Sequence, residues 1–224
     1  MSSIKFTRIP KNAIIIGDSY STFEGYIPDG YGIYYYKAGR EDNDLTKVEQ
    51  TWWHLLCEEL KINLVHNNSL SGSTVCYTGY GNTDRSRSTS FIYRLNQLYE
   101  NGFFEENKID TVFIFGGTND SWAQSPLGEE TFTDYSHENL FNVLPALAYI
   151  IKRVKEILPD ANVLFIVNDT LKPEISKTVI SASNHFGTSY LLLRDIDKSN
   201  GHPTVKGMEE IKNQIVDFIL SNPD

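Results

Sequence analysis

Two residue types that can act together in catalysis lie near opposite ends of this chain of 224 residues. Ser19 directly follows Gly17 and Asp18, and His202 is followed by Pro203. A serine hydroxyl is a weak nucleophile at neutral pH and becomes effective when an adjacent imidazole takes its proton. Each residue also has a simpler interpretation: Ser19 as a helix-capping turn residue, and His202 as a surface histidine near a helix start.

Two further segments carry groups that can donate hydrogen bonds to a negatively charged oxygen. Gly72 lies among small polar residues, where a missing side chain lets the backbone approach an oxyanion closely. Asn119 follows Gly116 and Gly117, and a short loop there can aim its amide into a crevice. Alone, the first segment reads as an ordinary turn and the second as an Asx-turn.

Short apolar runs alternate with longer amphipathic ones, which predicts alternating strands and helices. The predicted strands are residues 12–16, 62–66, 111–115, 162–167 and 188–193. The predicted helices are residues 48–60, 90–100, about 137–158, 173–186 and 205–220. Pro145 should kink or divide the third of these helices. The pattern predicts one α/β domain over residues 1–224, a three-layer α/β/α sandwich with a five-stranded parallel sheet.

Ser19, Gly72, Asn119 and His202 each follow the end of a different predicted strand. The carboxyl ends of parallel strands meet at one edge of a sheet, and a crevice opens there at the topological switch point. We therefore expect the four residues to converge, which weakens the simpler interpretation of each.

This order and spacing resemble the SGNH (GDSL-type) hydrolase family over residues 14–207. The motifs that carry the resemblance are Gly-Asp-Ser at 17–19, Gly-Thr-Asn-Asp at 117–120 and His-Pro at 202–203. The resemblance implies a flavodoxin-like sheet topology and a serine esterase or acylhydrolase that needs no metal or organic cofactor.

The resemblance also implies a role for each residue. Ser19 is the nucleophile, and His202 is first the general base and then the general acid toward the leaving alcohol. The oxyanion donors are the backbone N–H groups of Ser19 and Gly72 and the side-chain amide of Asn119.

One position departs from the family pattern. The family usually has an aspartate three residues before the histidine, and Ser199 stands there in this chain. Asp197 and Asp195 are the available carboxylates, and we expect Asp197 to reach the ring of His202 across a longer loop. If neither carboxylate reaches it, a Ser–His dyad oriented by a backbone carbonyl is the alternative.

Aromatic residues cluster directly after the predicted nucleophile. The chain has 13 tyrosines, and those within residues 20–36 are Tyr20, Tyr26, Tyr31, Tyr34, Tyr35 and Tyr36. Exposed rings can stack on sugars, and tyrosine hydroxyls can hydrogen-bond to them. We therefore expect Tyr20, Tyr34 and Trp122 to bind a small-molecule or oligosaccharide ester, foremost a carbohydrate O-acetyl ester. The alternative is that these rings only pack the segment onto the sheet.

Two other functions stay open. One is a lipid acylhydrolase, lysophospholipase or thioesterase of the same family, although no amphipathic lid or long apolar run favours it. The other is a non-catalytic carbohydrate-binding protein on the same fold. The absence of the usual aspartate three residues before His202 is compatible with a binding protein. However, a binding module has no use for Ser19, Asn119 and His202 together.

Composition excludes several other classes of protein. A net charge of −9 and a pI near 5.0 disfavour binding to nucleic acid or to an acidic membrane surface. Two cysteines without a CxxC motif and five scattered histidines give no zinc spacing, so no metal is expected. The GxGxxG and Walker patterns of nucleotide sites are absent.

Without a signal peptide or an apolar run of about 18 residues, we expect a cytoplasmic protein with no membrane insertion. Secretion or a periplasmic location stays open if a leader was removed, and the oligomeric state is not predicted.

Overall fold

Five strands form a parallel sheet through the centre of the molecule. The computed structural model describes residue 6 and residues 8–221. The strands are β1 (Asn12–Gly17), β2 (Asn63–Ser69), β3 (Thr111–Phe115), β4 (Asn162–Val167) and β5 (Ser189–Leu192). Their order is β2-β1-β3-β4-β5, and every neighbouring pair is parallel. This is the flavodoxin-like order, which confirms the predicted α/β fold.

Helices cover both faces of the sheet. They are α1 (Trp52–Leu60), α2 (Phe91–Glu100), α3 (Phe103–Glu106), α4 (Thr118–Trp122), α5 (Val143–Ile157), α6 (Pro173–Phe186) and α7 (Val205–Leu220). Ala13 and Ile15 of β1 pack with α1 and α7, whereas Ile14 and Ile16 pack with α2, α5 and α6. Because both faces are covered, the central strands β1, β3 and β4 are apolar almost throughout. Within residue 6 and residues 8–221, no helix combines the length and apolar character that crossing a bilayer requires.

Two predicted helices begin later than expected. Helix α5 begins at Val143, so Pro145 lies in its first turn, where backbone N–H groups have no partner within the helix. The proline therefore neither kinks nor divides the helix, contrary to the prediction. Helix α1 begins at Trp52 because the side chain of Thr51 accepts a hydrogen bond from the N–H of His54 and caps it.

The switch point of the sheet lies between β1 and β3. From β1 the chain passes to β2 on one side and then crosses to β3 on the other. Ser19 follows β1, and Asn119 lies in α4 just after β3. A small hairpin of β6 (Lys198–Ser199) and β7 (His202–Pro203) stands between β5 and α7. This hairpin is absent from the predicted elements, and it carries His202.

Candidate active site

Ser19 and His202 meet at the carboxyl end of the sheet. Ser19 opens a short 3-10 turn after β1, which Oδ1 of Asp18 caps by accepting the N–H of Tyr20 at 3.1 Å. The Oγ of Ser19 lies 3.0 Å from Nε2 of His202. The other ring nitrogen, Nδ1, lies 3.2 Å from the carbonyl oxygen of Asn200. A carbonyl oxygen only accepts, so Nδ1 carries the proton and Nε2 is free to accept the hydrogen of the serine hydroxyl.

The turn that holds His202 follows from a two-residue sequence signal. Asn200 and Gly201 connect β6 to β7 with φ angles of +46° and +76°. Asn-Gly is the favoured pair for such a tight hairpin, because both central residues need positive φ. The Asn-Gly pair is therefore a sequence signal for this hairpin, whereas the predicted feature is only a longer loop.

The prediction that Asp197 orients His202 is wrong. The carboxylate of Asp197 accepts a hydrogen bond from the hydroxyl of Thr204, the residue that caps α7. The hairpin register explains this, since it pairs Ser199 with His202 and leaves Asp197 opposite Thr204. Asp195 is exposed. The backbone carbonyl of Asn200 takes the place of the acid, as in the dyad alternative.

The environment of His202 keeps its imidazole neutral. Burial lowers the pKa of His202 to about 4, although the hydrogen bond to Asn200 opposes this shift. The positive charge of Arg40 lowers the pKa further, whereas the negative charge of Asp42 raises it. At neutral pH the ring is therefore a base that can accept a proton from Ser19.

Gly72 and Asn119 both keep a hydrogen-bond donor free. Gly72 has a φ of +79°, and its N–H has no acceptor within the part of the chain that the structure describes. The buried Nδ2 of Asn119 also lacks a partner among the described residues. Its Oδ1 accepts from the hydroxyl of Tyr80 at 2.9 Å, which fixes the amide so that Nδ2 stays unused. Sequence reasoning missed Tyr80, which lies far from every recognised motif.

Two buried side chains, Asp120 and Arg94, connect the loops that follow β1, β2 and β3 through hydrogen bonds. The carboxylate of Asp120, next to Asn119, accepts the N–H groups of Val75 and Cys76 at 2.9 and 3.1 Å. The guanidinium of Arg94 donates to the carbonyl oxygen of Gly17 at 3.0 Å and to the hydroxyl of Ser73 at 3.1 Å. Arg94 is not among the predicted site residues, although a cation among the apolar residues of α2 is a sequence signal for a buried functional or structural charge.

The predicted substrate-binding rings divide into buried and exposed groups. The prediction for Tyr20 is wrong, because only 1% of the residue is exposed and its hydroxyl donates to the carbonyl oxygen of Gly201 at 2.5 Å. Tyr34 stacks on His202 with ring centroids 3.5 Å apart and planes 7° from parallel. Trp122 meets the same imidazole edge-on and is 40% exposed. Trp122 therefore borders the site on the solvent side, while Tyr34 supports it from within.

The part of the chain that the structure describes offers no cluster of three or more His, Cys, Asp or Glu side chains that could hold a metal ion. The site itself presents a serine hydroxyl, a histidine and N–H donors. Together these groups can attack a carbonyl carbon and stabilise the oxyanion that forms.

Known proteins share this arrangement of strands and helices. A protein from Bacteroides ovatus described as a GDSL-like lipase is 42% identical, with a TM-score of 0.87, over 96% of this chain and 100% of its own. A second such protein, from Bacteroides uniformis, is 37% identical, with a TM-score of 0.86, over 95% of this chain and 96% of its own. An acetyl xylan esterase, Est2A, from the rumen bacterium Butyrivibrio proteoclasticus shares the fold at 15% identity and a TM-score of 0.62, over 96% of this chain and 64% of its own.

No curated protein matches this chain significantly. Residues 11–219 match the family model for GDSL-like lipases and acylhydrolases, so the match spans all five strands and both partners of the Ser19–His202 contact. The chain belongs to the GDSL-like lipase/acylhydrolase family and is a hydrolase that acts on esters.

Proposed function

We propose that the chain removes an O-acetyl group from a carbohydrate through an acyl-enzyme formed on Ser19. The observation that carries the catalytic part is the 3.0 Å contact between the hydroxyl of Ser19 and Nε2 of a neutral His202. The free donors of Gly72 and Asn119 support the same reading, because a non-catalytic binding module would have no need of an oxyanion site.

The proposed reaction follows from these atoms. The Oγ of Ser19 attacks the ester carbon while its proton passes to Nε2 of His202. The oxyanion accepts hydrogen bonds from the backbone N–H groups of Ser19 and Gly72 and from Nδ2 of Asn119. When the C–O bond of the ester breaks, His202 returns the proton to the leaving alcohol. Water then attacks the carbonyl carbon of the acyl-enzyme while its proton passes to Nε2 of His202. The bond from that carbon to Oγ breaks, His202 returns the proton to Oγ of Ser19, and the acid leaves.

Exposed rings beside the dyad support a sugar as the alcohol part of the ester. Trp122 borders His202, and Tyr80, which is 43% exposed, borders Asn119. Aromatic rings with one polar edge suit the faces of sugar rings, which carry both C–H and O–H groups. The acetyl xylan esterase that shares the fold acts on a substrate of this class.

Two assays test the two parts of the proposal. For catalysis, the wild-type chain should hydrolyse p-nitrophenyl acetate and take up a serine-directed fluorophosphonate, whereas Ser19→Ala should do neither. If the wild type shows neither reaction, the catalytic part of the proposal is wrong and a non-catalytic carbohydrate-binding protein is favoured.

For the substrate, kcat/KM is measured with acetylated oligosaccharides and with medium- and long-chain acyl esters. We expect the acetylated sugars to be preferred. Trp122→Ala should raise KM for the sugars more than for p-nitrophenyl acetate, because the small ester does not need a stacking surface. A preference for long acyl chains would remove the carbohydrate hypothesis and favour a lipid acylhydrolase.

A further inference from the structure

Hydrogen bonds through Asn200 connect His202 to the carboxylate of Asp42, which lies far from it in the sequence. Nδ1 of His202 donates to the backbone oxygen of Asn200 at 3.2 Å. The side chain of the same asparagine donates from Nδ2 to Oδ2 of Asp42 at 2.9 Å. One residue thus connects the imidazole to a carboxylate, through its backbone on one side and its side chain on the other.

A second connection reaches His202 from the same carboxylate. Arg40 donates from Nε to Oδ1 of Asp42 at 2.8 Å and from Nη2 to Oδ2 at 3.2 Å. The guanidinium carbon of Arg40 lies 4.2 Å from the ring centroid of Tyr34, and that ring stacks on His202. Asp42 therefore fixes both the turn that carries the imidazole and the ring that supports it.

Asp42 is also the anion among the charged groups that affect the imidazole. Arg40 and Lys198 lower the pKa of His202, and Asp42 raises it. Lys198 forms an ion pair with Asp169. Hydrogen bonds from Arg40 and Asn200 lower the pKa of Asp42 to about 2, so its carboxylate is ionised whenever His202 is neutral.

We propose that Asp42 is the positioning carboxylate of this site. It takes the role of the aspartate that the family usually has three residues before the histidine, where this chain has Ser199. It holds Asn200 so that the carbonyl oxygen orients the imidazole, and its charge stabilises the imidazolium that forms during the reaction. The proton of Ser19 moves only to Nε2 of His202, Nδ1 keeps its own proton, and none reaches Asp42. The inference rests on the proposed role of His202 as the base.

The first test is Asp42→Asn, which keeps an oxygen for the hydrogen bond from Asn200 and removes the charge. We expect the pKa of His202 to fall, because the negative charge of Asp42, which raises that pKa, is removed. We expect kcat for p-nitrophenyl acetate to fall about tenfold with little change in KM, because the imidazolium that Asp42 stabilises is present in the transition state and not in the ground state. A merely structural role would loosen the hairpin, admit water and raise the pKa of His202 instead.

Two further variants keep the proposal testable if Asp42→Asn folds poorly. Arg40→Gln removes the cation and leaves the link from Asp42 to Asn200, so the pKa of His202 should rise. Asn200→Gly keeps the left-handed turn and its carbonyl but cuts the link to Asp42. Its kcat should fall by a factor similar to that of Asp42→Asn.

The pKa of His202 is measured by NMR titration, with the signal assigned by comparison with His202→Gln. This measurement needs no substrate, so it separates the two proposals. A wild type that hydrolyses no ester contradicts the proposed function alone. An Asp42→Asn variant whose His202 titrates at or above the wild-type pKa, or whose kcat is unchanged in an active enzyme, overturns the role of Asp42.

Discussion

A side-chain amide is useful in an oxyanion site only if its nitrogen, and not its oxygen, faces the reacting atom. In Asn119 the oxygen is occupied by the hydroxyl of Tyr80, while Nδ2 has no partner among the described residues. A buried donor without a partner costs on the order of 1–3 kcal/mol, and an oxyanion that accepts its hydrogen bond removes that cost. In the proposed reaction, Asn119 would therefore bind the transition state, which carries the oxyanion, more tightly than the ground-state ester.

Asn119→Ala should therefore lower kcat for p-nitrophenyl acetate by about 10²–10³-fold, because one oxyanion donor is lost. KM should change little, since the ground-state ester carries no full charge. Circular dichroism and the melting temperature check that the variant folds. Full turnover in a folded Asn119→Ala protein would remove Asn119 from the oxyanion site.

Tyr80→Phe tests how the amide is oriented. The ring stays, but the hydrogen bond to Oδ1 of Asn119 is lost, so the amide can turn away. A typical hydrogen bond contributes about 0.5–1.5 kcal/mol, so we expect kcat to fall by about 3- to 10-fold. Tyr99→Phe, an exposed tyrosine on α2, is the matched control and should match the wild type. Equal kcat values for the two variants would contradict the orienting role.

At the scale of elements, the hairpin of β6 and β7 sets the position and orientation of His202. Its Asn-Gly turn, the hydroxyl of Tyr20 on Gly201 and the hydroxyl of Tyr35 on Pro203 hold it against the Tyr-rich segment. The excess of tyrosine in that segment is thus partly explained by support of the histidine. Only some of its rings remain exposed.

The reassignment of Asp197 gives a prediction for α7. Asp197→Asn should leave kcat unchanged, because its carboxylate bonds Thr204 and not His202. It should lower the free energy of unfolding by about 0.5 to 1 kcal/mol, because a negative charge near the N-terminus of α7 is lost. Urea unfolding and ester hydrolysis measure the two effects, with Asp195→Asn as the exposed control. A large loss of kcat at unchanged stability would return Asp197 to the catalytic site.

The sequence could predict the sheet, its five longer helices and the contact between Ser19 and His202, because the central strands are apolar almost throughout and parallel strands end at one edge. It missed the short helices α3 and α4. It could not predict which groups orient His202. The links from Asn200 to Asp42 and from Asp42 to Arg40 depend on where a long irregular segment folds back. Hydrophobic periodicity carries no information about such contacts. Tyr80 was missed for the same reason.

At the scale of the whole molecule, the switch point is where buried charges concentrate. Burial raises the pKa of Asp18 to about 7, with a further rise from Asp120, while the N–H of Tyr20 and the charge of Arg94 oppose it. Burial also lowers the pKa of Arg94 to about 10. The fold therefore keeps ionisable groups in its interior to fix the strand-end loops, at some cost in stability.

Asp18→Asn should show this cost as a pH dependence. The folded chain holds a proton on Asp18 up to a pH of about 7, whereas the unfolded carboxyl titrates at 3.8. Stability from this group is therefore lost as the pH rises through that window. Relative to wild type, the variant should gain about 2 to 3 kcal/mol between about pH 5 and about pH 8. Urea unfolding measures it, with exposed Asp29→Asn as control. A gain that does not grow with pH would contradict the raised pKa of Asp18.

The dyad joins residues separated by 183 positions. During synthesis Ser19 is made 183 residues before His202, so the serine leaves the ribosome well before its base. A nascent or C-terminally truncated chain therefore carries the serine without any means of activating it. Esterase activity thus reports that β1 and the hairpin of β6 and β7 have come together, and in refolding experiments it should return after the helical signal and not with it.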